Sequence, residues 1–196
     1  MLSATVRTDL GGRSAAALRE QGLVPCALLG DRLPFVHLAV QESDLVPFLQ
    51  RPHYQRELLT LQVEGGETVH VLPQEVQYDS VPMAQFKVKH VNFRRWPRNP
   101  KKNPVKLAVP LIFENEEAVP TVKNGGFVME VFSATGLKCY VSEIDHIPRF
   151  LIGDMRNHVN GDLRIDQIEL PPGVRPIKHP STEGNFLVAR AQRVRG

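Results

Sequence analysis

The sequence predicts a mostly β protein with short helices, in which the first half forms a small mixed barrel and the second half is β-rich. Three observations lead to this prediction. The 196 residues include 16 prolines and 14 glycines, which favours short elements and many turns over long helices. Apolar and polar residues alternate over several short segments, the pattern of half-buried strands. A basic, proline-rich stretch at 97–104 then separates two halves of different character.

The first half combines strands with two short helices. Strands are expected at residues 2–8, 23–30, 34–40 and 84–96, and helices at residues 13–21 and 41–51. Gly22 is the expected stop of the first helix, since glycine adopts the left-handed conformation that commonly ends helices. The segment 57–79 is expected to be a hairpin that turns at Gly65-Gly66. These elements are enough for a small barrel.

The stretch 97–104, PRNPKKNP, marks the predicted domain boundary. Its three prolines cannot donate to a sheet ladder, so it cannot lie inside a sheet. We therefore divide the chain into a domain at 1–96, a basic linker at 97–104 and a second domain at 105–196. The second domain consists of short apolar segments broken by turns, including those expected at Gly125-Gly126 and Thr135-Gly136, and is nearly all-β.

The sequence contains none of the common signatures of an enzyme or a metal site. Cys26 and Cys139 are far apart and lack CxxC spacing, which argues against a disulfide framework and a zinc site and favours buried thiols. The seven histidines are scattered, and no glycine-rich phosphate loop occurs. No apolar run reaches the length of a membrane span. We expect a protein that is not an enzyme and has no cofactor, no small-molecule substrate and no membrane partner.

The stretch 87–102, KVKHVNFRRWPRNPKK, concentrates positive charge. It holds seven Lys or Arg residues and no acid, although the whole chain carries only +3. Strand periodicity assigns its residues to two faces. One face takes Phe86, Val88, His90 and Asn92, and the other takes Lys87, Lys89, Val91 and Phe93.

This arrangement is typical of an RNA-binding strand. His90 and Asn92 can contact base edges or ribose, while the surrounding cations contact phosphates. The cations in question are Lys87, Lys89, Arg94, Arg95, Lys101 and Lys102. The alternative is a solvated basic strand edge, where lysines discourage aggregation.

Several segments resemble one family. LREQGLVPCALLG, EVQ and KHVNF are similar to the bacterial large-subunit ribosomal protein that binds 5S ribosomal RNA, in particular its longer two-domain form, the general stress protein Ctc family. In the second half, VKLAVPLIF, VKNGGFV and IPRFLIGDMRNHVNGDLRIDQIELPPGV are similar to that family's second domain. The ordered set extends from about residue 5 to residue 175.

The resemblance implies a six-stranded barrel with short helices that grips 5S ribosomal RNA, followed by a β-rich domain that leans toward neighbouring ribosomal elements. The implied partners are 5S or 23S-like ribosomal RNA and neighbouring large-subunit ribosomal proteins. By motif, Gln77 and His90 match RNA-contacting positions, and Asn92 stands where the family has Asp. Arg13 and Arg19 lie in the helix start that also contacts RNA.

Departures from the family pattern indicate the compartment in which the protein works. GRSAAALR, at residues 12–19, is one residue shorter than the usual helix start and has alanines in place of paired arginines. Leu29 replaces the usual Tyr. Such drift suits an organellar ribosome, so the mitochondrial matrix is favoured over the bacterial cytoplasm. Asp9 and Glu20 argue against reading the N-terminus as a transit peptide.

Two other functions stay open at this point. One is a tRNA-binding module, because the anticodon-binding region of glutaminyl-tRNA synthetase resembles the same barrel. The chain has no Rossmann-type half, which argues against the synthetase itself. The other is a stress-related interaction protein that acts away from the ribosome. Sedimentation with large subunits distinguishes the leading hypothesis from both.

Overall fold

The computed structural model describes residues 1–30, 32–79, 87–131, 136–156, 158, 160–177 and 184–193. The chain divides into two compact units, Met1–Asn103 and Pro104–Gly196. The boundary between them falls within the predicted linker, in a turn where Asn99 O accepts hydrogen bonds from the amides of Lys102 and Asn103, at 3.2 and 3.0 Å.

Over its described residues, the first unit is a closed six-stranded barrel with two α-helices and a 3-10 turn at Tyr54–Arg56. Its elements are β1 (Leu2–Val6), α1 (Gly12–Glu20), β2 (Leu23–Leu29), β3 (Val36–Gln41), α2 (Glu42–Leu49), β4 (Leu59–Val63), β5 (Thr68–Tyr78) and β6 (Val88–Arg95). The strands close in the order β1-β3-β2-β6-β5-β4. The pairs β1–β4 and β2–β6 are parallel and the other four are antiparallel. The predicted six-stranded barrel is confirmed.

Apolar side chains from every strand fill the barrel. Leu28, Leu38, Leu61 and Phe93 are completely buried, and Leu45 of α2 packs into the same core. Closure leaves the sheet without a free edge, so the strand backbones are paired on both sides. The outward side chains are therefore displayed on a rigid support.

The helices and the hairpin turn lie where the sequence predicts them. Gly65 and Gly66 both have φ of 99°, a conformation that favours glycine, and the amide of Val63 donates to Glu67 O across the turn. The predicted start of the last barrel strand, residues 84–86 with Phe86, lies outside the described residues. Strand β6 begins at Val88.

A bulge in β6 changes the predicted faces. His90 pairs with Gln77, but the next cross-strand pair joins Val88 to Tyr78, so Lys89 is an extra residue on β6. Val88 is buried and Lys89 is exposed. His90 and Asn92 do share the outward face, as predicted. The expectations that Val88 lies on their face and that Lys89 lies with Val91 and Phe93 were wrong, because uniform alternation does not cross a bulge.

The described residues of the second unit form three small sheets. Its elements are β7 (Val105–Val109), β8 (Leu111–Glu114), α3 (Pro120–Lys123), β9 (Phe127–Glu130), β10 (Leu137–Val141), β11 (Leu151–Asp154), β12 (Asp162–Arg164), β13 (Val174–Pro176) and β14 (Leu187–Gln192). The sheets have the orders β13-β10-β7, β11-β8 and β12-β14-β9, and β11-β8 is parallel. This agrees with the predicted β-rich second half. Thr135 of the predicted turn lies outside the described residues.

Both cysteines are free, buried thiols, as expected. Burial raises the pKa of Cys26 to about 12 and that of Cys139 to about 11, so neither thiol ionises readily. Among the described residues, no three His, Cys, Asp or Glu side chains come close enough to hold a metal ion. In the same part of the chain, no helix is both long and apolar enough to cross a bilayer.

Candidate nucleic-acid interface

Strands β5 and β6 bring three of the predicted residues into one hydrogen-bonded group. Gln77 lies opposite His90, and Glu75 lies opposite Asn92. Gln77 Nε2 donates to Glu75 Oε1, and Asn92 Nδ2 donates to Glu75 Oε2, both at 3.0 Å. His90 Nε2 donates to Asn92 Oδ1 at 2.8 Å. We call these four side chains the polar row.

The hydrogen bonds of the polar row fix the chemistry of His90. Because Asn92 donates its amide hydrogen to Glu75, its carbonyl oxygen is left to accept, so His90 must carry its proton on Nε2. In the neutral ring, Nδ1 is then an acceptor. His90 thus offers one acceptor of known orientation on the outer face of the barrel.

Glu75 holds the polar row together, and sequence reasoning missed it. The hydrogen bond from Gln77, and then that from Asn92, lower the pKa of this exposed carboxyl, so it is ionised at neutral pH. Its alternation with Gln77 was visible in the sequence. Its contact with Asn92 was not, because that contact depends on the cross-strand register.

A shallow pocket of about 210 Å³ lies beside the polar row. It groups the predicted residues Arg19, Gln77, Lys89 and His90. Its remaining lining residues are Arg7, Leu10, Gly11, Ala15, Pro25 and His37. Arg19 Nη1 donates to Lys89 O at 3.2 Å, which ties helix α1 to the bulge of β6. The bulge therefore places the Lys89 side chain at the pocket rather than inside the barrel.

Arg7 is the cation that the sequence analysis overlooked. It lies just after β1, and its Nη2 donates to Asp9 O at 3.1 Å and reaches Ser14 Oγ at 3.5 Å. The side chain is thereby held against the start of α1, at the pocket. A lone Arg outside a basic cluster gave no signal in the sequence, because only the fold places it beside Arg19 and Lys89.

The other predicted cations are arranged around this centre or away from it. Lys87 is exposed just before β6, and Arg94 is half-buried on the outward face of the strand. Arg13 is exposed in the first turn of α1 and does not line the pocket. Lys101 and Lys102 are exposed in the turn at the end of the unit.

Arg95 does not belong to the surface. It continues the inward alternation of Val91 and Phe93, only 7% of it is exposed, and its Nη1 donates to Glu67 Oε1 at 3.2 Å. A buried guanidinium that already has a carboxylate partner cannot reach an RNA phosphate without losing that partner. The structure therefore removes Arg95 from the candidate set.

Together these features define a candidate binding surface. Polar side chains of fixed orientation lie at its centre, and Arg7, Arg19 and Lys89 lie beside them, which is an arrangement suited to an anionic polymer. The fold and the candidate site define a protein of the small closed-barrel class with a polar and cationic outer face.

The comparisons with known proteins identify the family. Residues 2–93 match the model of the Ribosomal L25p family, which covers the barrel and the polar row. The large ribosomal subunit protein bL25 of Rhizobium meliloti (strain 1021) is 32% identical over 177 residues, which are 90% of this chain and 82% of that protein. The bL25 protein of Novosphingobium aromaticivorans is 32% identical over 189 residues, 96% of this chain and 86% of that protein. The bL25 protein of Orientia tsutsugamushi (strain Boryong) is 30% identical over 174 residues, which are 88% of this chain and 80% of that protein.

The chain belongs to the Ribosomal L25p family, and the predicted resemblance is confirmed. It is a ribosomal protein and not an enzyme. The relatives extend over both units, whereas the family model ends within β6, so it describes the barrel alone.

Proposed function

We propose that this chain is a structural constituent of the large ribosomal subunit and binds ribosomal RNA through the outer face of its barrel. The observation that supports this most strongly is the polar row, in which Glu75 orients Gln77, Asn92 and His90 on the outward side of β5 and β6. A chain of aligned donors and acceptors on a closed barrel is pre-organised for directional contacts.

The charge of Glu75 indicates which part of an RNA meets each part of the surface. An ionised carboxylate repels phosphate, so the phosphates lie away from the polar row and beside the cations Arg7, Arg19 and Lys89. Base edges and ribose hydroxyls then face His90 and Asn92. This geometry suits the wide, shallow minor groove of an RNA helix, where base edges and 2′-hydroxyls are accessible.

The RNA that we propose is 5S ribosomal RNA or its surroundings in the subunit, with neighbouring large-subunit proteins as further partners. Family membership and the match of the barrel to the family model support this choice. The mitochondrial placement that the sequence analysis favoured has no support, because the relatives named above are all bacterial. The proposed role in the large ribosomal subunit does not require a mitochondrial location.

The test is a competition experiment. We expect the purified chain to shift labelled 5S ribosomal RNA in a gel, and excess unlabelled 5S RNA to compete much better than bulk tRNA. In extracts, the endogenous protein should sediment with large subunits. Equal competition by tRNA together with sedimentation away from subunits would favour the tRNA-binding module instead.

A further inference from the structure

The second unit presents a basic sheet face that plays no part in the proposed function. In the sheet β13-β10-β7, Tyr140 of the central strand pairs with Lys106 on one side and with Arg175 on the other. Lys138 is two residues before Tyr140, so it points to the same side, about 7 Å away along the strand. Lys106, Lys138 and Arg175 are exposed and Tyr140 is half-buried. We call these four residues the tyrosine face.

The opposite side of this sheet shows that the tyrosine face is a true outer surface. Leu137, Cys139 and Val141 alternate with Lys138 and Tyr140 and are all buried. The three cations therefore surround one aromatic ring on a support that is packed from behind. Lys106 Nζ lies 5.5 Å from the centre of the Tyr140 ring.

In the part of the chain that the structure describes, the three cations lack acidic partners. Among the described residues, no ion pair includes Lys106, Lys138 or Arg175. Protection of sheet edges by charge explains Lys106 on β7 and Arg175 on β13, because both are edge strands. It does not explain Lys138, which lies on the central strand.

The charges in the second unit are segregated. A pocket of about 420 Å³ beside the sheet β11-β8 is lined by the carboxylates Glu114, Asp154 and Glu169, of which Asp154 is paired with Arg156 at 2.7 Å. The tyrosine face carries three cations and no carboxylate among its four residues. An anionic partner is thus favoured by the unpaired cations of the tyrosine face over the carboxylate-lined pocket of the same unit.

We propose that the tyrosine face binds a single-stranded segment of RNA, independently of the barrel surface. Lys106, Lys138 and Arg175 would contact phosphates, and a base would stack on Tyr140, the combination that sheet proteins use for unpaired nucleic acid. The contact of Lys106 with the ring is weak at an exposed site, so a phosphate can draw this lysine away and uncover the ring.

Photo-crosslinking tests this proposal on the full-length chain. A uridine oligonucleotide of about 12 nucleotides is irradiated with the protein, and tryptic peptides that carry a uridine adduct are identified by mass spectrometry. We expect an adduct on the peptide 139–149, located at Tyr140. Tyr140→Phe should retain it, because the ring remains. His90→Ala should leave it unchanged, which separates this surface from the barrel.

A matched pair of charge reversals tests the role of the cations. Arg175→Glu should lower the adduct yield on peptide 139–149 about ten-fold, whereas Lys123→Glu, an exposed lysine of α3 in the same unit, should change it by less than about two-fold. Equal thermal melting of both variants would show that they are folded alike.

Three results would overturn the proposal. One is the absence of an adduct on peptide 139–149 when other peptides carry adducts. Another is an equal loss for Arg175→Glu and Lys123→Glu, which would show attraction by net charge alone. The third is displacement of the RNA from this peptide by poly-glutamate as effectively as by unlabelled RNA, which would point to an acidic protein as the partner.

Discussion

The glycines of the barrel and those of the second unit have different surroundings. A methyl group added at five barrel positions would meet no atom within 4 Å: Gly11, Gly12, Gly22, Gly65 and Gly66. A methyl group added at five positions of the second unit would overlap a neighbouring atom: Gly126, Gly136, Gly153, Gly161 and Gly173. Most described glycines of the barrel therefore lie in open space, whereas most of those in the second unit, though not Gly125 or Gly184, lie where segments are in close contact.

This difference follows from the architecture of the two units. The barrel encloses a single core, in which side chains such as Phe93 and Leu38 supply the packing. The second unit has sheets of two or three strands, which are too small to enclose a core singly. They gain contact where the backbone itself approaches a neighbour, as Gly153 of β11 does at Leu163 and Phe113. The barrel is thus a rigid display surface, and the second unit depends on a few tight contacts.

The largest effect that we expect is separation of the two units by protease. Trypsin should cut first within 97–104, after Arg98, Lys101 or Lys102, because this exposed turn lies between two compact units. Two fragments should then persist. They would be detected by a time course on denaturing gels with mass measurement. A single resistant core, or a first cut inside β1–β6, would contradict the division into domains.

The next largest effect concerns a tight contact of the second unit. Gly126→Ala should destabilise that unit by about 3 kcal/mol, because the added methyl would overlap Gln192 O and Thr121 O, and backbone atoms cannot move aside easily. Urea unfolding followed by hydrogen exchange would locate the loss. The control is Gly12→Ala in α1, where the methyl meets nothing and helix propensity improves by up to about 1 kcal/mol. Similar losses of unfolding free energy for the two variants would show that glycines have the same role in both units.

A smaller effect is expected where the barrel displays its polar row. His90→Ala should weaken binding to 5S RNA by about 1–3 kcal/mol, the range for a lost specific contact. The melting temperature should change little, since His90 is on the outward face and no core packing is removed. His70→Ala, another barrel histidine that is exposed and hydrogen-bonded to Thr60, is the matched control. Normal affinity with reduced stability would show that His90 supports the fold instead.

Sequence reasoning succeeded where local pattern decides the structure. Alternating apolar residues and the Gly65-Gly66 turn predicted barrel elements, and alternation predicted that His90 and Asn92 share a face. It failed at Lys89, because a bulge depends on how two strands pair. It also failed at Arg95: alternation with Val91 and Phe93 already places Arg95 on the inward face, but only the fold reveals Glu67 as its partner. A small barrel was predicted from the strand pattern, but its six strands came from the family resemblance.

The sequence predicted several residues of the candidate site, but it did not predict how they contact one another. Gln77 and Asn92 were identified separately by motif, but Glu75, which connects them, belongs to a cross-strand pair that the sequence alone does not reveal. Arg7 reaches the pocket because β1 ends beside α1, which is a property of the fold. In the second unit, short strands were predicted but not their pairing, since two- and three-stranded sheets lack a distinctive periodic signature.

The smallest effect that we expect concerns the two cations in the turn at the end of the barrel unit, Lys101 and Lys102. If Lys101 and Lys102 each neutralise a phosphate, their replacement releases fewer counterions on binding. The double variant Lys101→Ala, Lys102→Ala should then reduce the slope of log affinity against log salt by about one to two units. Both side chains are exposed and their turn is held by backbone hydrogen bonds to Asn99 O, so the loss of charge should not disturb the fold. Arg51→Ala is the control, because Arg51 is paired with Glu57 after helix α2 and should leave the slope unchanged. A slope that is equally steep in the double variant would mean that the two lysines only keep the turn solvated. The RNA would then be held by the polar row and the cations of the pocket, without help from the end of the barrel unit.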